Sequence, residues 1–134
     1  MKNFLVTGGS GFIGSNFCEL ISKKNKVINI DKLTYCSVPD RFKNINRLNY
    51  KLVKSDISNE KVILKIFNKY KINFLVNFAS ESHVDRSIAN PKKFINQNIN
   101  STLNLLEILD RNFYWAYQAN QCLEKALYFD QFFL

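Results

Sequence analysis

The chain has 134 residues, 46% of them hydrophobic, which is enough for one domain with a buried core and too few for two. Its 19 basic and 11 acidic residues give a formal net charge of +8, but the lysines are scattered in pairs and no recognised nucleic-acid motif accompanies them. We therefore predict no nucleic-acid partner, and no membrane span because no apolar segment approaches the required length.

Short apolar segments alternate with amphipathic segments along the chain. The predicted elements are a strand at 3–7, a helix at 12–24, a strand at 27–30, a segment that is mostly loop at 32–48, a strand at 50–54, a helix at 59–70 with a capping pattern at Ser58, a strand at 72–78 and a helix after Pro91. Because the strands are continuously apolar, they predict a mostly parallel sheet covered on both faces, the doubly wound α/β architecture.

A glycine-rich turn, TGGSGFIGS, links the first predicted strand to the first helix. Gly8, Gly11 and Gly14 have the spacing GxxGxxG, a variant of the dinucleotide fingerprint, and they lie where that fingerprint must lie. Glycines let the backbone approach a pyrophosphate, whose charge is then met by the N–H groups and dipole of the helix N-terminus. The turn predicts a dinucleotide site, and a glycine-rich turn without a ligand is the alternative.

Asp31 follows the second predicted strand, about 20 residues after the glycine turn. A carboxylate in this position accepts hydrogen bonds from the adenosine ribose hydroxyls and repels a 2′-phosphate. We therefore predict NAD rather than NADP as the cofactor, a preference that the neighbouring Lys32 weakens.

Two polar stretches follow the third and fourth strands, SDI at 55–57 and NFASESHVDRSI at 77–88. Since ligands of open α/β sheets bind outside the carboxyl ends of the strands, both stretches are expected to face the glycine turn. Asp56 is a candidate for binding the adenine amino group, with a solvated turn aspartate as the alternative, and Ile57 a candidate for packing on the ring. His83 is the only histidine and the three cysteines share no metal-ligand spacing, which predicts no metal site and reduced thiols in a cytoplasmic protein.

The stretches TGGSGFIGS, IDKLTY, SDI and NFASESHVDRSI together resemble the N-terminal half of the nucleotide-sugar 4,6-dehydratases, above all the dTDP-glucose 4,6-dehydratases, of the extended short-chain dehydrogenase/reductase superfamily. The likeness runs over about residues 1–107. It implies an incomplete NAD-binding Rossmann fold of about four strands at 1–111, and a divergent tail, helical or poorly ordered, at 112–134.

The resemblance also completes the expected cofactor site. That site comprises Gly8, Gly11, Phe12, Ile13, Gly14, Asp31, Lys32, Leu33, Thr34, Asp56, Ile57, Phe78, Ala79, Ser80, Glu81 and Ser82. Ser82 is also implied to lie close to the sugar nucleotide. Two residues depart from the family pattern: Ser80 stands where alanine is usual, and Gln97 where a cofactor-contacting threonine is usual.

The activity implied by the resemblance is the dehydration of a nucleotide sugar, dTDP-glucose. NAD oxidises the hexose at C4, water leaves across C5 and C6, and the hydride returns to C6. This chemistry needs a tyrosine base assisted by a lysine four residues on, and an acid and a base for the elimination. The family supplies them from a Tyr-x-x-x-Lys helix and a Thr-Asp-Glu stretch.

Neither of these segments is found in the sequence. The one Tyr-x-x-x-Lys match, Tyr50 and Lys54, lies in a predicted strand, where residues four apart do not pair as helix neighbours do. We therefore predict no catalytic residue in this chain.

Three hypotheses follow. In the first, the chain is the NAD-binding part of a dTDP-glucose 4,6-dehydratase that is inactive alone and whose full-length form is a homodimer. In the second, it is a non-catalytic NAD-binding module or a decayed gene product. In the third, it is a fragment of a related epimerase or decarboxylase, a reading that the string ESHVDRSI disfavours.

Overall fold

A computed structural model describes residues 1–37, 42 and 44–113, with side chains to residue 110. Its elements are β1 (Asn3–Thr7), α1 (Phe12–Ser22), β2 (Lys26–Asp31), β3 (Tyr50–Lys54), α2 (Glu60–Lys69), β4 (Phe74–Asn77), α3 (Val84–Ala89), α4 (Pro91–Ile95), a π-helical segment (Asn96–Asn100) and α5 (Ser101–Phe113). In this part of the chain, no helix combines the length and apolar character that crossing a membrane requires.

The four strands form one parallel sheet in the order β3-β2-β1-β4. Thr7 at the end of β1 lies opposite Ile30 of β2 and Asn77 of β4, so the carboxyl ends of the strands share one edge. The chain adds β2 and β3 on one side of β1 and then returns to add β4 on the other. The resulting topological switch point lies between β1 and β4, where open α/β sheets bind their ligands.

Alternate strand residues point to opposite faces of the sheet, and helices cover both. On one face Leu5 and Ile28 pack in a core with Ile63 of α2 and Ile108 of α5. On the other face Val6 and Val27 pack with Cys18 of α1. Each fully buried aliphatic side chain contributes roughly 1.5–3 kcal/mol through removal of apolar surface from water. The predicted doubly wound parallel architecture is confirmed.

Several predicted boundaries were wrong by one or a few residues, and one helix was missed. The predicted helix at 12–24 ends at Ser22, and the predicted strand at 72–78 is confined to Phe74–Asn77. Asn59, not Ser58, caps α2, because the Asn59 side chain accepts a hydrogen bond from the Val62 amide at 3.3 Å. The six-residue α3 falls within the polar stretch at 77–88, for which no helix was predicted. Pro91 begins α4, as predicted.

Candidate functional site

A cavity opens at the carboxyl edge of the sheet, next to the switch point between β1 and β4. Ten of the sequence-predicted site residues line it: Gly8, Gly11, Asp31, Lys32, Thr34, Ile57, Phe78, Ala79, Ser80 and Glu81. These residues come from four separate stretches of the sequence, which were selected by the glycine spacing, by their positions after predicted strands and by the family resemblance. The fold brings the four stretches to one place.

The other six predicted residues lie around the cavity without lining it. Phe12 and Ile13 occupy the first turn of α1 with exposed side chains, and Gly14 is buried beneath the glycine turn. Asp56 lines a second, more open hollow that adjoins the cavity and shares Lys32, Gln97 and Ser101 with it. Leu33 and Ser82 follow directly after lining residues in the chain.

The cavity also has lining residues that were not predicted: Ile30, Cys36, Ser37, Ser55, Gln97 and Ser101. Ile30 and Ser55 are the first residues of the IDKLTY and SDI stretches, and Cys36 and Ser37 directly follow IDKLTY, so taking each motif in full and extending IDKLTY by two residues would have found them. Gln97 stands where the family resemblance implies a cofactor-contacting threonine, and Ser101 lies four residues further along the same helical face.

The glycines of the turn have different physical roles. Gly8 has φ +65°, and a Cβ there would lie 2.6 Å from the Ala79 nitrogen. A Cβ on Gly14 would overlap the Gly8 carbonyl oxygen and lie 2.7 Å from the Gly9 Cα. A Cβ on Gly11 would meet only the Gly8 oxygen, at 3.3 Å. Gly8 and Gly14 are therefore required by the fold, whereas the space at Gly11 is left free beside the cavity.

Asp31 organises the turn in addition to facing the cavity. One carboxylate oxygen accepts a hydrogen bond from the Ser10 amide at 2.8 Å; the other accepts from the Leu33 amide at 2.8 Å and the Ser37 hydroxyl at 3.2 Å. Leu33 adopts φ 57°, a left-handed conformation that is uncommon for a non-glycine residue. Since a carboxylate has about four acceptor positions, capacity for a ligand hydroxyl remains.

Asn29 supports the glycine turn from below. This fully buried side chain accepts a hydrogen bond from the Gly9 amide at 2.9 Å and donates to the Ser10 hydroxyl at 3.1 Å and the Tyr50 hydroxyl at 2.8 Å. A buried amide is tolerated only when its polar atoms are satisfied, as they are here. The sequence indicates this role only by placing an asparagine inside the otherwise apolar strand VINI.

The opposite wall of the cavity is fixed to the helical segment that follows it. The Asn98 side chain accepts a hydrogen bond from the Glu81 amide at 2.7 Å and donates to the Glu81 carbonyl at 2.9 Å. Thr7 and Asn77 are hydrogen-bonded through their side chains across β1 and β4. Both backbone groups of Glu81 are thus paired to one amide, which holds the loop after β4 in place.

Part of the polar stretch ESHVDRSI gathers on Tyr35 at the edge of the cavity. The Tyr35 hydroxyl donates to a Glu81 carboxylate oxygen at 2.8 Å, and the Arg86 guanidinium lies 3.6 Å from the centre of the tyrosine ring. The His83 ring centre is 5.3 Å from that of Tyr35. These contacts connect the loop after β2 to the loop after β4.

Asp56 is paired rather than simply solvated, because the Lys32 ammonium contacts its carboxylate. Partial burial acts to raise the pKa of Asp56, but hydrogen bonds from Lys32 and Ser58, with the charge of Lys32, lower it below its ordinary value. The Ser58 amide donates to Asp56 at 2.9 Å. Asp56 is therefore ionised at neutral pH.

Tyr50 and Lys54 are confirmed to lie in a strand, β3. Burial raises the pKa of Tyr50 to about 12, although the hydrogen bond with Asn29 opposes that shift. A base for proton abstraction requires a lowered pKa. The environment of Tyr50 is thus opposite to that of a catalytic tyrosine.

Comparison with known proteins identifies the family. A family model described as GDP-mannose 4,6 dehydratase matches residues 5–122, beyond residue 107 where the likeness was expected to fade. The dTDP-glucose 4,6-dehydratase of Haemophilus influenzae is 44% identical over 118 residues, which cover 86% of this chain and 34% of that protein. The chain spans about a third of the length of the curated relatives it matches.

Solved structures of this family and of nucleotide-sugar epimerases have the same fold. The dTDP-glucose 4,6-dehydratase of Bacillus anthracis, in complex with NAD, is similar with a TM-score of 0.71 at 35% identity, covering 84% of this chain and 34% of that one. The UDP-glucose-4-epimerase of Stenotrophomonas maltophila, with bound NAD and formylated UDP-arabinopyranose, has a TM-score of 0.72 at 28% identity, covering 82% and 34%. Together with the match over residues 5–122, these similarities mean that the chain belongs to the GDP-mannose 4,6 dehydratase family of nucleotide-sugar enzymes.

Proposed function

We propose that the chain is the NAD-binding portion of a dTDP-glucose 4,6-dehydratase. The observation that carries the proposal is the cavity at the switch point, where the glycine turn, Asp31, Ile57 and the loop after β4 converge. The kinship with dTDP-glucose 4,6-dehydratases, one of them solved in complex with NAD, supports the choice of both cofactor and substrate class.

The described residues suit a dinucleotide in chemistry and shape. We assign the pyrophosphate to the N-terminus of α1, where the space at Gly11 admits close approach and the backbone N–H groups supply positive charge. Asp31 would accept the adenosine ribose hydroxyls, and Ile57 would pack against the adenine. The loop from Ala79 to Ser82 would border the nicotinamide end and the sugar. When bound, NAD supplies the hydride acceptor for oxidation of the hexose.

Dehydration itself requires groups that these 134 residues do not supply. The sequence has no Thr-Asp-Glu stretch, and its one Tyr-x-x-x-Lys match lies in β3. A base and an acid are needed to move the protons of the elimination. We therefore assign cofactor binding, and no catalytic residue, to this chain.

The cavity at the switch point also supports a second candidate function, that of a non-catalytic NAD-binding module. The two candidates are distinguished by supplying the missing groups in a second polypeptide, which restores dehydration only for the first. An epimerase fragment is less favoured, because the dTDP-glucose 4,6-dehydratase of Haemophilus influenzae is 44% identical to the chain, whereas the similar epimerase structures are 25–33% identical to it.

Three other expectations stay predictions. The division into a domain at 1–111 and a tail at 112–134 is the first, because residues 114–134 lie outside the described part of the chain. The homodimer of the full-length protein and the cytoplasmic location rest on the family resemblance and on cysteine usage. The described cysteines, Cys18 and Cys36, are both free thiols, as a reducing compartment requires.

Removing the Asp31 carboxylate should weaken NAD binding. We expect Asp31→Ala to raise the dissociation constant by about 5- to 150-fold, equivalent to about 1–3 kcal/mol, because charge-assisted hydrogen bonds to the ribose are lost. Calorimetric titration measures the change. Asp31→Asn is the matched control for the turn, since its one carbonyl oxygen still accepts from a backbone amide. Unchanged dissociation constants in both variants would exclude Asp31 from the site.

Bound NAD should protect Cys36 from alkylation. Cys36 is exposed and lines the cavity, whereas Cys18 is buried and its pKa is raised to about 12 by burial and by the charge of Asp31. We expect millimolar NAD to slow iodoacetamide modification at Cys36 severalfold, while Cys18 stays unmodified with or without NAD. Peptide mass mapping follows each site. An equal rate at Cys36 with and without NAD would contradict the proposed position of the cofactor.

A further inference from the structure

Lys32 occupies an unusual position between the two hollows of the site. It directly follows the ribose-binding candidate Asp31, and with Gln97 and Ser101 it lines both the cavity at the switch point and the adjoining hollow that contains Asp56. Its ammonium group is paired with the Asp56 carboxylate, and the two side chains are 30% and 37% exposed. Lys32, which follows Asp31 directly in the chain, is therefore paired with Asp56, a residue that follows the neighbouring strand β3.

A cation beside the ribose carboxylate has a defined consequence for cofactor choice. Sites that accept NADP place a basic side chain where it neutralises the 2′-phosphate, whereas a lone carboxylate repels that group. A lysine is a compact point charge on a flexible stem, so it binds phosphate readily when nothing else holds it. An unpaired Lys32 would thus offset the repulsion by Asp31.

We propose that Asp56 is a specificity-determining residue, which keeps the site selective for NAD by holding the Lys32 ammonium away from the 2′-phosphate of NADP. The inference rests on the proposed function, because it takes the adenosine ribose to lie at Asp31. Asp56 acts through Lys32 and is a positioning residue. The Asp56 carboxylate is also fixed on its other side by the Ser58 amide at 2.9 Å, so the acceptor that holds Lys32 is itself held.

The pairing competes with phosphate binding in a way that can be measured. To contact a 2′-phosphate, Lys32 must leave Asp56, and the ionised Asp56 is then left without its cation. That cost is paid only by NADP. Any contact of Asp56 with the adenine, by contrast, contributes equally to NAD and NADP, because their adenine rings are identical. The ratio of the two dissociation constants therefore isolates the effect on the 2′-phosphate.

The test is to measure the dissociation constants of NAD and NADP for the 134-residue chain and its Asp56→Asn variant. Asparagine keeps an oxygen for the Ser58 amide and removes the charge that holds Lys32. We expect the preference for NAD over NADP to fall by about fivefold, the size of a partly exposed ion pair. Asp56→Glu, which keeps the charge, should retain most of the preference.

A second substitution identifies the lysine as the cause. In Asp56→Asn/Lys32→Ala, the preference for NAD should return to the value of the unaltered chain or exceed it, because no cation remains for the 2′-phosphate. Equal preference in Asp56→Asn and the unaltered chain, with both still binding NAD, would overturn this inference and leave the proposed function intact. Failure of the unaltered chain to bind either dinucleotide would overturn both.

Discussion

Replacing Gly11 by valine is expected to abolish NAD binding while the chain stays folded. A Cβ at this position meets only the Gly8 carbonyl oxygen, at 3.3 Å, a close contact that a shift of a few tenths of an ångström relieves. The same position lies beside the cavity, at the N-terminus of α1, where the pyrophosphate is assigned. A branched side chain would occupy the space through which the backbone N–H groups reach the ligand.

The measurement for Gly11→Val combines NAD titration with a thermal melt. The extended backbone at Gly11, φ −75° and ψ 179°, is one that valine adopts readily, so we expect a stability change within about 1–2 kcal/mol. Gly11→Ala, with one added carbon, is the graded control and should lose less affinity. NAD binding of unaltered strength by folded Gly11→Val would remove the glycine turn from the site.

Gly14→Ala is expected to have the opposite effect to Gly11→Val, because it should lower the free energy of unfolding of the chain rather than block NAD binding to a folded chain. A Cβ there would overlap the Gly8 carbonyl oxygen and crowd the Gly9 Cα at 2.7 Å. Both neighbours are backbone atoms of a turn whose Gly8 and Gly9 amides are hydrogen-bonded to β2, so neither can yield as a flexible side chain would. We expect a loss of at least about 3 kcal/mol, a large share of the 5–15 kcal/mol typical of a domain.

Urea unfolding of Gly14→Ala, compared with Gly11→Ala, measures that difference. The two substitutions add the same methyl group three residues apart in one turn, so chain composition and unfolded-state effects are nearly matched. We expect a clear fall in the midpoint for Gly14→Ala and little change for Gly11→Ala. Equal midpoints would show that the turn relaxes around Gly14 and that the close packing of α1 against the turn is not required.

The features that were predictable from the sequence are those that local pattern determines. Continuous apolar runs gave the four strands, and the glycine spacing placed the turn at the mouth of α1. The parallel arrangement then followed from general rules of α/β sheets, and it brought Asp31, Ile57 and the loop after β4 to one cavity. No residue pairing had to be known in advance for that result.

What sequence reasoning missed depends on contacts between distant residues. Asn98 and Glu81 are 17 residues apart, Asn29 and Tyr50 are 21 apart, and Lys32 meets Asp56 from the end of another strand. Each of these side chains is compatible with several partners, and only the folded chain selects one. The missed helix α3 has six residues, too few for helical periodicity to be recognised.

Binding of NAD in the cavity can be tested by calorimetric titration of the purified 134-residue chain with NAD, with circular dichroism of the same sample to establish that it is folded. We expect saturable binding in the micromolar range with one NAD per chain. A folded chain that gives no saturable binding at millimolar NAD would contradict the assignment of the cavity as a cofactor site.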